Sequence, residues 1–135
     1  MEHSWRKWLN SAVDSLDAAL LLEQHGHVRS SASRGYYAAY QAATAVLLRS
    51  GQTPPDGREG WGHEATPDLL RSLSGVPWKQ DKKNNLSVRL ADLYKLRIVA
   101  DYKFGIDMDE ADLRSGLKSV NYTVRIIGAV LVTGK

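Results

Sequence analysis

The stretch LSVRLADLYKLRIVADY, from Leu86 to Tyr102, carries the period of a single long helix. At 100° per residue, Leu86, Leu90, Leu93, Leu96 and Ala100 gather into one apolar stripe, as on a helix laid against a core. Arg97 falls inside that stripe, between the directions of Leu90 and Leu93. A guanidinium aimed at a core is costly to desolvate unless it is paired or lines a cleft. Asp101, one turn on, is the nearest partner, and Tyr94 and Tyr102 supply hydroxyls close by. The order Arg then Asp is the weaker orientation for an exposed helical pair. More than surface charge pairing therefore holds these two residues, and both a buried ion pair closing a bundle and a functional site fit them.

The remaining segments repeat the helical period. Ser4 to Gln24 places Trp5, Leu9, Ala12, Leu16, Ala19 and Leu20 on one face, with Ser4 as N-cap and Gly26 as the stop. Ser30 to Ser50 forms a second helix ended by Gly51, with Ala32, Tyr36, Ala39, Tyr40, Ala43, Val46 and Leu47 on one face. Its alanines let neighbouring helices approach closely. Tyr37 and Leu48 point the other way, with Arg34 and Gln41, so this helix needs a second set of neighbours. A second subunit meets that need, which makes Tyr37 and Leu48 the expected dimer-interface residues. Thr66-Pro67-Asp68 reads as a helix start for a short segment, Pro67 to Leu73. Asp109 to about Val132 is the last helix, burying Leu113, Gly116, Leu117, Val120, Val124, Ile127 and Leu131. No hairpin pattern or repeat appears. The expected fold is all-α, an antiparallel up-down bundle of four long helices plus one short helix, in a single domain over residues 1–135.

Composition sets the outer limits. Of the 135 residues, 43% are hydrophobic and 24% charged, ordinary proportions for a globular domain. The chain has no cysteine, which excludes disulfides and thiolate metal sites and favours an intracellular, cytoplasmic setting. MEHSWRKWLN lacks the apolar core of a signal peptide. The longest aliphatic run, Ile126 to Val132, is far short of the ~20 residues that span a bilayer, so no membrane role is expected. The net charge of +3 permits contact with nucleic acid without demanding it.

Several clusters invite a chemical reading. His25 and His27 flank a helix-ending glycine with no nearby carboxylate cluster to complete a site, which suits a cap better than a metal site, and no metal or cofactor is expected. The loop Gln52 to Glu64 is rich in glycine and proline, but its glycines follow no strand and precede no Gly-Lys-Ser/Thr, so they are not a phosphate-binding loop. Trp61 and His63 close this loop, where Trp61 suits a plug for the bundle end and His63 a local hydrogen bond or cap. Lys79, Lys82 and Lys83 cluster before the central helix and, with Arg34, are the candidate nucleic-acid contacts; a solvated helix start explains the lysines equally.

The segments Ser33-Arg34-Gly35-Tyr36-Tyr37-Ala38-Ala39-Tyr40 and Arg97-Ile98-Val99-Ala100-Asp101-Tyr102, with a loop carrying His63 between them, resemble small prokaryotic HEPN-domain proteins. The resemblance runs from about Ser30 to Gly105. It implies an all-helical, usually dimeric domain. Many members are metal-independent endoribonucleases or toxins, often encoded beside a minimal nucleotidyltransferase that serves as antitoxin. The nuclease signature is an arginine, a spacer of four to six residues and a histidine. Arg97 fits the arginine, but Tyr102 stands after a four-residue spacer, and no histidine follows His63. A tyrosine is a poor general base at neutral pH, whereas Arg97 still suits a phosphate in its transition state. On the resemblance, the catalytic candidates are Arg97, Asp101, Tyr102 and His63. The alternative is a non-catalytic binding module that docks a nucleotidyltransferase, an antitoxin or a nucleotide.

Overall fold

A computed structural model describes residues 2–134, with side chains from residue 4 onward. Its elements are α1 (Glu2–Gln24), α2 (Val28–Arg49), α3 (Ala65–Arg71), α4 (Gln80–Tyr102) and α5 (Glu110–Thr133). Four are long, one is short, and no strand occurs among the described residues. The all-α bundle expected from the 3.6-residue period is the observed fold. No described helix is long and apolar enough to cross a membrane.

The core is organised around α2. Ser31, Ala32, Gly35, Tyr36, Ala38, Ala39 and every residue from Ala42 to Leu47 are buried, while a stripe through Ser30 and Arg34 stays exposed. One flank lies along α1, and α4 and α5 cover the others. Small side chains make this enclosure possible, because each alanine removes bulk between two helix axes. At Gly35 an added Cβ would stand 3.0 Å from Leu117 and 3.4 Å from Val120. Tyr37 and Leu48 are half-buried against the chain's own core. Part of each of these two side chains is therefore covered within the same chain, and part remains exposed.

Several helix ends differ from the sequence expectation. The first helix begins by Glu2, placing Ser4 inside it. Val28 opens α2 two residues early, since His27 N–H reaches back to the Leu22 carbonyl at 2.9 Å and Gly26 takes φ +79°. Thr66 does not cap α3, which starts at Ala65; its hydroxyl donates to the Gly62 carbonyl at 2.8 Å. The polar segment Gln80–Asn85, which lacks an apolar period, is nonetheless the start of α4. It is tied to α3 by Gln80 Nε2 donating to the Arg71 carbonyl at 2.7 Å. Of Asp107 and Asp109, either of which suits the sequence as a cap for the last helix, Asp109 caps α5, accepting from Asp112 N–H at 2.8 Å.

Candidate functional site

The C-terminal turn of α4 faces one stripe of α2, where Ser33, Tyr36, Tyr37 and Tyr40 recur at i, i+3, i+4 and i+7. Arg97 and Asp101 form an ion pair, Nε to Oδ2 at 2.8 Å, with side chains 13% and 28% exposed. The Nε–H bond is not aimed at the carboxylate, so this is a charge contact without a directed hydrogen bond. Arg97 Nη2 donates to the Tyr37 hydroxyl at 3.0 Å and reaches that of Tyr102 at 3.5 Å. The guanidinium also lies 5.3 Å from the ring centroids of both tyrosines. Ser33 Oγ donates to Asp101 Oδ2 at 3.1 Å. Arg97 is thus neither sealed in the core nor free in solvent.

Burial opposes the charge of Arg97, but the neighbouring Tyr37, Asp101 and Tyr102 outweigh it and raise its pKa.

The loop between α2 and α3 delivers His63 to the same stripe. Its ring stacks on Tyr94, with centroids 5.5 Å apart and planes 9° from parallel, and lies 4.6 Å from Tyr40 and 6.0 Å from Tyr37. His63 Nδ1 is 2.6 Å from the Tyr36 hydroxyl. Tyr40 anchors the loop by donating to the Trp61 carbonyl. Trp61 is buried, as its reading as a plug requires. His63, by contrast, bonds across the bundle to a residue 27 positions earlier and is not a local cap. Burial lowers its pKa, and the positive charge of Arg97 lowers it further, so the imidazole is neutral at pH 7.

Burial also holds the Tyr36 phenol far above its ordinary pKa, with Tyr40, Tyr94 and Tyr37 adding to the effect. The phenol therefore keeps its proton. His63 is the only hydrogen-bond partner of this hydroxyl among the described residues. An O–H left without an acceptor there would cost ~1–3 kcal/mol, so Tyr36 donates to Nδ1 and His63 carries its proton on Nε2.

Arg29, at the start of α2, braces the end of α4. Its Nη1 donates to the carbonyls of Val99 at 2.8 Å, Ala100 at 3.3 Å and Lys103 at 3.4 Å, and Nη2 donates to that of Ile106. These carbonyls belong to the last turn of α4 and to the turn that follows it. Beside this corner, Leu22, Ser30, Ser33, Arg34, Tyr37 and Asp101 line an open cleft of about 320 Å³.

The structure brings together Arg97, Asp101, Tyr102, Tyr37 and His63, and places Arg34 on the adjoining cleft. It does not bring in the lysines. Lys79, Lys82 and Lys83 sit at the opposite end of α4, some 15 residues before Arg97, or about 22 Å along the axis. Leu48 is likewise about 16 Å along α2 from Tyr37. Sequence reasoning passed over Ser33, Tyr36, Tyr40 and Arg29 as site residues. The hydroxyl-bearing stripe of the first three was visible as a spacing, but its tyrosines also read as core filling. Arg29 left no signal, because its partners are backbone carbonyls. Among the described residues no three His, Asp or Glu side chains gather as a metal site. No curated protein matches the sequence. The HEPN domain model matches residues 5–130, nearly the whole chain, and the protein belongs to the HEPN domain family.

Proposed function

We propose that the protein acts on RNA as a metal-independent endoribonuclease, with Arg97 and His63 meeting one phosphodiester. The observation that carries this reading is that a cation from α4 and a neutral imidazole from a distant loop converge on Tyr37, although the histidine expected after Arg97 is absent. In the proposed reaction the 2′-hydroxyl attacks the adjacent phosphorus and loses its proton to water. The bond to the 5′-oxygen breaks and that oxygen is protonated from solvent, leaving a 2′,3′-cyclic phosphate and a 5′-hydroxyl. Arg97 compensates the charge that builds on the phosphoryl oxygens, and His63 Nε2–H donates to them. Tyr102 orients Arg97 and is not a base. A homodimer, a toxin role in the cytoplasm and neutralisation by a nucleotidyltransferase antitoxin belong to the same proposal, supported by the family resemblance.

The test is incubation of labelled RNA in EDTA with wild type, Arg97→Ala and His63→Gln. We expect cleavage by wild type and a loss of about 10²-fold or more in Arg97→Ala. Asp101 is partly exposed and can hydrate when Arg97 is removed, so that variant should lose only ~1–2 kcal/mol of stability. Cleavage unchanged in Arg97→Ala would refute the reading. A second reading, a non-catalytic module docking a nucleotidyltransferase or nucleotide, is favoured by Tyr102 at the position of the histidine; wild type that binds but never cleaves RNA supports it.

A further inference from the structure

We infer that the cleft walled by Ser33, Arg34, Tyr37 and Asp101 is a ribonucleoside subsite of the Arg97 site, in which Asp101 Oδ1 accepts the 2′-hydroxyl. This deepens the proposed function and rests on a phosphate lying at Arg97. The two oxygens of Asp101 are used unequally. Oδ2 meets both Arg97 Nε at 2.8 Å and Ser33 Oγ at 3.1 Å. Oδ1 receives nothing from any described residue, although a carboxylate oxygen has room for two donors. Arg97 shows the same asymmetry: Nε and Nη2 are engaged, while Nη1 has no acceptor among the described residues. A cation with an unused donor thus stands beside an anion with an unused acceptor, and the anion lines a cleft of about 320 Å³.

That pair calls for a ligand carrying an anionic group and, close to it, a hydroxyl or amine. A bare phosphate would meet Arg97 but would be repelled by Asp101. A ribonucleotide satisfies both, since its 2′-hydroxyl adjoins the 3′-phosphate and donates. The Tyr37 ring lines the same cleft and its hydroxyl is held by Arg97, so it offers a fixed face to the sugar or base. Arg34, exposed on the cleft wall, suits the neighbouring phosphate. DNA leaves Asp101 Oδ1 unpaired beside the phosphate, and a site built around a ligand hydroxyl rejects an analogue lacking it.

The experiment is a binding series on the wild-type chain with four short oligonucleotides that differ only in the 2′ substituent: hydroxyl, amino, hydrogen and fluorine. The hydroxyl and amino strands should bind alike, and the deoxy and fluoro strands about tenfold or more weaker. In Asp101→Ala that gap should close to about twofold or less, while Asp101→Asn, which keeps an acceptor oxygen, should preserve most of it. Equal binding of all four strands by wild type would overturn the subsite without reference to any variant, as would a gap that survives in folded Asp101→Ala. RNA cleavage together with equal binding removes the subsite and leaves the nuclease reading; selective binding without cleavage does the reverse.

Discussion

His63 shows how one residue's surroundings set its chemistry. A free imidazole near pH 7 is half a step from protonation, but burial among tyrosines and the field of Arg97 hold this ring neutral. Its folded pKa lies below the ordinary 6.5 that the unfolded chain keeps. Below that value the unfolded state binds the proton more readily than the folded one. The stability linked to His63 is therefore complete above about pH 6.5 and is lost as pH falls from there toward the folded pKa. Wild type should consequently lose more melting temperature between pH 7 and pH 5 than His63→Gln does. Parallel thermal-unfolding profiles for the two proteins would show that the ring is not held neutral. The pKa of Tyr36, driven up by burial, points the same way, because a phenol that cannot ionise remains a donor to Nδ1.

Among the elements, α2 separates two kinds of glycine contact. At Gly35 a methyl group would press on Leu117 at 3.0 Å and on Val120 at 3.4 Å, with Ala19 behind at 3.9 Å. Leu117 is buried between helices, so its side chain has little room to give way. At Gly116 the nearest atom is closer, 2.8 Å, but it is the tip of the half-buried Leu96, which can change rotamer. Both replacements by alanine gain up to ~1 kcal/mol of helix propensity. Overpacking of ~1–3 kcal/mol should outweigh that gain at Gly35 and not at Gly116. Urea denaturation should thus show Gly35→Ala destabilised by about 1 kcal/mol and Gly116→Ala within about 0.5 kcal/mol of wild type. The reverse order would mean that α5 is free to move away from α2.

For the whole molecule, the corner after α4 bears directly on assembly. Tyr102, Phe104 and Ile106 are 65%, 73% and 50% exposed beside Arg97, and Arg29 fixes the corner through its carbonyls. Rigid exposed apolar groups at the mouth of a site suit an interface. We expect a two-fold homodimer in solution that uses this corner, and Phe104→Asp to shift it toward monomer. Light scattering that finds wild type monomeric at micromolar concentration would count against the dimer.

Much of this protein was legible in the order of its residues. Period alone determined that Leu86–Tyr102 is a helix, that its partners are helices, and that Arg97 sits on the core side with Asp101 one turn away, because those relations are local and repeat every 3.6 residues. The delivery of His63 to a stripe of tyrosines was not legible, since that contact spans 27 positions and depends on where a loop without periodicity comes to rest. Nor could period show which helix meets each face of α2, because its buried alanines extend well beyond one apolar stripe. The capping of α4 by Arg29 escaped as well, since it acts on carbonyls every residue possesses. Tertiary structure decided these points, because only packing brings distant chain segments within hydrogen-bonding range.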